Sequence, residues 1–377
     1  MTRFTKTSRL LALVAASGLA LSACGSTTDK TPSGGSGGSD KSAYCGKNLA
    51  FMGALTGDAG ALGQNMVGGI ELALKEWNDK NADCQITLKK FDSQGSPDTA
   101  PGLATQIVND DSIFGLIGPG FSGESLATGK TFFEKGLPSI SPSATNVTIT
   151  QQGWTTWHRV IGNDDAQGKA DAAYLTGDAG ATKVYVVDDG QDYSKGLAGT
   201  VKEALGSSLA DSDQISVGQT DMSAVVTKIK SSGADAVFYG GYYTEAGLLA
   251  KALRQGGFKG TFMSGDGAED PNFVKVAGAS AAEGAVLSAP AGPPPSGFGA
   301  SGLYATQSYD ATNIFLAAVK DGVSDFKALN DFIGSYSGDG VSGPIAFDEH
   351  GDITESKIYA YFVKNGELDV ENPQAIS

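Results

Sequence analysis

Histidine is almost absent from this chain: two residues, His158 and His350, in 377. So little imidazole leaves few general bases and few metal ligands. Cysteine is nearly as scarce. Cys24, Cys45 and Cys84 include no C-x-x-C pair and no cysteine–histidine cluster, which argues against a zinc site. Positive charge is short as well, with 27 Lys and Arg against 42 Asp and Glu and a formal net charge of −15. Such a surface repels nucleic acid and anionic headgroups, so a phosphate-tracking role is disfavoured and no nucleic-acid partner is expected.

What is present begins with a targeting pattern. Arg3, Lys6 and Arg9 precede the apolar run Leu10–Leu21, which is too short for a stop-transfer helix. The run closes in Leu21-Ser22-Ala23-Cys24, which resembles a bacterial lipoprotein box. That resemblance implies removal of residues 1–23 and acylation of the Cys24 thiol; an ordinary signal peptide with an incidental cysteine is the alternative. Residues 24–43 are rich in Gly, Ser and Thr and read as a flexible tether. Together these place a globular body at the lipid bilayer, on the outer face of a bacterial cell membrane.

The body has the length for two domains and, at 40% hydrophobic residues, enough apolar material for their cores. Asn48–Leu55 is an apolar run. Met66, Ile70, Ala73, Leu74 and Trp77 then recur at helical spacing. Gln85–Phe91 reads as a strand, Pro97 to Asn109 as a helix, Ile113–Ile117 as a strand, Ser125–Lys135 as a helix and Leu137–Ser141 as a strand. After Trp154–Ile161 a second alternation starts: strands at Lys183–Asp188, Gln214–Gln219, Ala234–Tyr239 and Gly260–Ser264, helices at Tyr193–Leu205, Met222–Ser231 and Thr244–Gln255. Alternating strands and helices are the signature of parallel sheets covered on both faces. A Pro-rich return, Ala289–Pro295, leads to helices at Gly302–Lys320 and Asp325–Tyr336, the short run Gly343–Phe347 and a last strand at Lys357–Val363. Cys45 and Cys84 each precede one of the first two strands, whose starts lie together if they are neighbours. In an exported chain they read as a disulfide, with two buried thiols as the alternative.

The stretch from Gly115 to Asn146 organises the site. Two apolar runs end in small hydroxyl residues, which places Ser122 and Thr145 at the carboxyl rim of a parallel sheet, where open α/β folds bind ligands. Gly118-Pro119-Gly120-Phe121-Ser122-Gly123 matches G-x-G-x-x-G, but the acid that a dinucleotide ribose needs about 20 residues on is missing. A helix N-terminus at this point still favours an anionic group, and a carboxylate suits it as well as a phosphate.

Six segments carry a family resemblance: SATN at 143–146, IGNDDAQG at 161–168, DYSKGLA at 192–198, FYGGYYTEAG at 238–247, FMSGDG at 262–267 and GPIAFDEHGD at 343–352. In this order the chain resembles the solute-binding proteins of branched-chain amino acid ABC transporters, the leucine/isoleucine/valine-binding class with the type I periplasmic-binding-protein fold. The resemblance implies an α/β chain of two doubly wound parallel-sheet lobes joined by three crossings, residues 44–163 with 290–350 and residues 164–289 with 351–377. It implies no enzyme activity, no cofactor and no metal, a monomer, a small amino acid held between closing lobes, and delivery to permease subunits. Carried over position by position, Ser122 and Thr145 hold the ligand carboxylate. The carbonyl of Ser143 or Ala144 accepts from its ammonium, Tyr193 and Tyr242 close over it, and Asp266 pairs with the ammonium. Leu62 stands where relatives often carry an aromatic, and Asp266 where they often carry Glu, so the ligand is not fixed by the resemblance.

The sequence is compatible with two alternatives. One is a sensor for amides or other small solutes on the same fold. The other is a serine hydrolase using Ser122, but Gly120-Phe121-Ser122-Gly123-Glu124 is not G-x-S-x-G, and only two histidines are available as base.

Overall fold

The structure, a computed structural model, describes residues 42–376. The targeting segment, the tether up to Lys41 and Cys24 lie outside the described residues. The chain starts with β1 (Asn48–Gly53), α1 (Gly60–Lys80), β2 (Thr87–Asp92), α2 (Ala100–Val108), β3 (Ile113–Ile117), α3 (Ser122–Lys135), β4 (Ser139–Ser141) and β5 (Trp157–Arg159). These strands form one parallel sheet in the order β2-β1-β3-β4-β5. Alternation along β1 assigns its two faces. Leu49 and Phe51 pack with Met66, Ile70 and Phe315, while Ala50 and Met52 pack with Ala104, Ile107 and Phe132. Burying each large side chain contributes about 1.5–3 kcal/mol, so both helical layers are held to the sheet by β1 and β3. Cys45 and Cys84, just ahead of the neighbouring strands β1 and β2, are disulfide-bonded.

The second unit runs α4 (Asp164–Thr176), β6 (Val184–Asp188), α5 (Asp192–Leu205), β7 (Leu209–Gln214), α6 (Ser223–Ser232), β8 (Ala236–Gly240), α7 (Tyr243–Gln255), β9 (Thr261–Ser264), α8 (Pro271–Ala277), α9 (Ala279–Ala282) and β10 (Val286–Ala289). The chain then forms α10 (Ala305–Lys320) and α11 (Phe326–Gly334), the small hairpin β11 (Ser337–Asp339) and β12 (Pro344–Ala346), and finally β13 (Tyr359–Lys364) and β14 (Glu367–Ala375). The second sheet has the order β14-β13-β10-β9-β8-β6-β7. It is parallel from β10 to β7, and β13 and β14 add antiparallel strands at one edge. Val184, Val186 and Phe238 face Leu197 and Val201 of α5, and Val187, Val237 and Tyr239 face the α7 side with Leu249 and Leu253.

The chain passes between the sheets three times: after β5, after β10 and after β12. The three passages meet at Gly162, where an added Cβ would lie 2.1 Å from Ser356 Oγ and 3.0 Å from Pro290 Cβ. α10 returns to the first sheet and lays Phe315 against Gly115 of β3.

Several elements differ from the sequence reading. α3 begins at Ser122 rather than Ser125, so Ser122 is the first residue of its first turn. The strand expected at Gln214–Gln219 is β7, Leu209–Gln214; its polar sequence on a sheet edge has no apolar alternation to mark it. α4 escaped the periodicity analysis because its buried face is polar, with Asp164, Gln167 and Asp171 at helical spacing. β14 is a polar edge strand containing Pro373 and was not anticipated.

Candidate functional site

Each sheet reverses its strand order once, and ligands of open α/β sheets sit outside the carboxyl ends at that reversal. In the first sheet the reversal lies between β1 and β3, which lead to Leu62 and to the Gly118–Ser122 turn. In the second it lies between β6 and β8, which lead to Tyr193 and Tyr242. The two points face each other. Leu62, Gly120, Phe121, Ser122, Ser143, Tyr193, Tyr242, Asp266 and Tyr304 line one small cavity of about 10 Å³.

The first-sheet side is built around the N-terminus of α3. Its first N–H groups have no intrahelical acceptor, and the helix dipole places positive potential there. Glu124 stays on the helix side of this turn: its carboxylate accepts the Phe121 N–H at 3.3 Å and the Ser93 hydroxyl. Complete burial pushes the Glu124 carboxyl up to about 8, against those hydrogen bonds. The Ser143–Asn146 loop is pinned to the same turn. Ser143 Oγ donates to Gly120 O at 2.6 Å, Asn146 N donates to Ser122 Oγ at 3.2 Å, and Ser141 Oγ donates to Pro119 O at 2.7 Å.

Ala144 and Thr145 are buried behind this cavity and do not line it. The Ala144 carbonyl accepts from Arg159 Nη1 at 3.0 Å. Thr145 Oγ1 is buried without a hydrogen-bond partner among the described residues, as are both carboxyl oxygens of Asp164. Burial raises Asp164 to about 7, with the neighbouring Thr145 hydroxyl opposing and the Asp266 charge adding to the rise.

The second-sheet side supplies the acid. Asp266 is buried and accepts Tyr193 Oη at 2.7 Å and Tyr304 Oη at 2.6 Å; Tyr193 Oη in turn accepts the Gly267 N–H at 2.9 Å. Burial raises the Asp266 carboxyl, and the two tyrosine hydroxyls work against the rise. The Tyr193 and Tyr242 rings lie 5.2 Å apart, and Tyr242 reaches Phe121 of the other side at 5.5 Å. Asn146 Nδ2 donates across the cleft to Asp192 O at 2.7 Å.

Of the residues singled out from sequence, Leu62, Ser122, Ser143, Tyr193, Tyr242 and Asp266 therefore meet at one cavity, while Ala144 and Thr145 form the loop behind it. Tyr304 was missed. The sequence places it inside a helix, but it precedes α10 with φ +70°, a left-handed conformation costly for a bulky side chain. That turn sends its ring into the cleft. Arg159 was missed too, since an arginine in a three-residue strand carries no motif. Neither histidine serves Ser122: His158 packs on Phe347 and burial lowers it to about 4, and His350 is exposed.

A family model for periplasmic binding proteins matches residues 48–367. The chain belongs to the periplasmic binding protein family. The Leu/Ile/Val-binding protein BraC3 of Rhizobium johnstonii is 32% identical over 244 residues, 63% of this chain and 66% of that protein, so the chain spans just under two thirds of that relative's length. The leucine-specific-binding protein of Salmonella typhimurium is 30% identical over 247 residues, 64% of this chain and 66% of that one. Among solved structures, the isoleucine complex of LivJ from Streptococcus pneumoniae superposes with a TM-score of 0.80 at 25% identity, covering 87% of this chain and 99% of that one. The leucine-binding protein LivK of Thermotoga maritima gives 0.79 at 26%, covering 87% and 98%. An R. palustris solute-binding protein in complex with 4-hydroxybenzoate shares the fold at 18% identity and a TM-score of 0.76. The fold is thus shared by solved proteins whose bound ligands differ.

Proposed function

We propose that this protein captures a small α-amino acid, branched-chain first, between two closing lobes and hands it to the permease of an ABC transporter. The observation that carries this reading is the polarity of one cavity. Ser122 at the N-terminus of α3 favours a carboxylate, and Asp266 opposite favours an ammonium. Leu62, Phe121 and Tyr242 supply apolar walls between them. The similarity to Leu/Ile/Val-binding relatives supports the same ligand class. The lobes are residues 44–163 with 290–350 and residues 164–289 with 351–377. The chain acts as a monomer without cofactor or catalysis, anchored through acylated Cys24 to the outer face of the cell membrane.

A thermal-shift screen against the amino acids, after unfolding and refolding to strip carried-over ligand, tests the ligand class. At about 100 times its dissociation constant a ligand stabilises by about 2.7 kcal/mol, and leucine, isoleucine or valine should raise Tm by several degrees. No shift with any amino acid would end this reading.

One observation favours a second ligand class. Asp266 is raised by burial and already accepts two hydroxyls, a state that also suits a neutral amide. Asp266→Asn separates the two, since an amide binder tolerates it and an amino acid binder does not.

A further inference from the structure

The ligand site is crowded with acids. Glu124, Asp164 and Asp266 are all buried within it or against it. A zwitterion placed there brings its own carboxylate among carboxyl groups that can carry no positive charge, and a helix N-terminus offers only about half a unit of it. Arg159 is a fully buried cation on the far side of the Ser143–Asn146 loop.

Its guanidinium makes four hydrogen bonds. Nη1 donates to both Ala144 O and Asn146 O at 3.0 Å, Nε donates to Asp352, and Nη2 donates to Thr150 Oγ1 at 3.3 Å. Its Cζ lies 5.3 Å from the Trp157 ring centre. The Asp352 carboxylate also accepts Thr150 Oγ1, and Arg159 N donates to Gly351 O at 2.9 Å. Asp352 belongs to the third passage between the sheets.

We infer that Arg159 is the positioning residue for the carboxylate end of the ligand, acting through the Ala144–Thr145 peptide. This rests on the amino acid reading above. The Ala144 carbonyl and the Thr145 N–H belong to one peptide unit and point opposite ways. A charged donor on the carbonyl polarises the unit and strengthens the N–H as a donor on its other side. The buried Thr145 hydroxyl, beside Asp164, stands at the same residue. Arg159 touches no ligand itself. It fixes the direction of the loop dipoles and supplies positive potential behind them. A lysine keeps the charge but cannot span Asp352 and two carbonyls at once.

The test compares L-leucine with L-leucinamide, and L-valine with L-valinamide, by calorimetric titration of the full chain. Both ligands of a pair keep the ammonium and side chain; only one carries the carboxylate. The ratio of their affinities therefore isolates the carboxylate end, and a general loosening of the fold would lower both alike. In Arg159→Met the preference for the free acid should fall about tenfold or more, and in Arg159→Lys by a smaller factor. Asp352→Asn disturbs the same cluster but keeps the guanidinium, and should hold the ratio within about twofold. A ratio unchanged in Arg159→Met, or one lowered equally by Asp352→Asn, overturns the inference. Should Arg159→Met not fold, an unchanged ratio in Arg159→Lys overturns it in the same way. Wild-type protein that binds neither member, or prefers the amides, fails at an earlier point, because the amino acid reading itself then falls.

Discussion

Tyr304 donates its hydroxyl to Asp266 Oδ2 at 2.6 Å, joining the start of α10, which packs on the first sheet, to the loop after β9 of the second. The bond can exist only while the two sides are together. It also occupies one oxygen of the acid proposed to meet the ligand ammonium. Tyr304→Phe keeps the ring and removes the donor. One hydrogen bond to a charged group contributes about 1.5–3 kcal/mol, so titration should read a loss of roughly tenfold or more in amino acid affinity. Unchanged affinity would show that the bond is incidental to closure.

Asp266 is held at a cost. Burial raises its carboxyl, and its partners are neutral hydroxyls rather than a cation. Asp266→Asn should abolish the amino acid response in a thermal-shift assay and raise the melting temperature of the unliganded protein. Stability and function then move in opposite directions, as expected where a site carries strain. A variant that both binds and melts like wild type would remove Asp266 from the site.

Gly196 in α5 is a contact point between the two sides. An added Cβ would lie 2.5 Å from Asp164 Oδ2 and 2.6 Å from Asn146 Nδ2. The obstruction at Asn146 exists only with the cleft shut, whereas Asp164, on α4 of the same unit as Gly196, meets the added Cβ with the cleft open or shut. Gly196→Ala should weaken ligand binding by about tenfold or more, an affinity loss of at least 1.4 kcal/mol, and the Asp164 contact should also lower the melting temperature without ligand. Small-angle scattering should show a larger radius of gyration with ligand than for wild type. Wild-type affinity would place the closed state elsewhere.

The buried acids set a pH dependence. Glu124 is raised from 4.5 to about 8 and Asp164 from 3.8 to about 7, both first by burial. An acid raised on folding binds more protons folded than unfolded, so stability falls as pH rises between the two values. Melting temperature should therefore decline from about pH 4.5 towards pH 8. Glu124→Gln should flatten the upper part of that decline. A melting temperature that rises steadily from pH 5 to pH 8 would contradict the burial of these groups.

Much of this was open to reading along the chain. The unbroken apolar runs of β3, β6 and β8 announce strands covered on both faces, since only a sheet between two helical layers buries every residue of a strand. Ser122 opens the helix after β3, Tyr193 and Tyr242 follow β6 and β8, and Asp266 follows β9, so strand order brings Ser122 to the carboxyl rim of the first sheet and the other three to that of the second.

What tertiary structure decided was everything that depends on pairing across distant segments. Asp266 finds Tyr304 38 residues away, and Arg159 finds Asp352 193 residues away. No local periodicity records such a partner. The buried polar face of α4 follows the same logic. Asp164, Gln167 and Asp171 look like solvent-facing residues in one dimension, and only the packing of α4 against α5 and β10 turns them inward. Local sequence determines where strands and helices form because backbone preference and apolar spacing act over a few residues. The chemistry of the cleft is set by which ends of those elements the fold brings within hydrogen-bond reach.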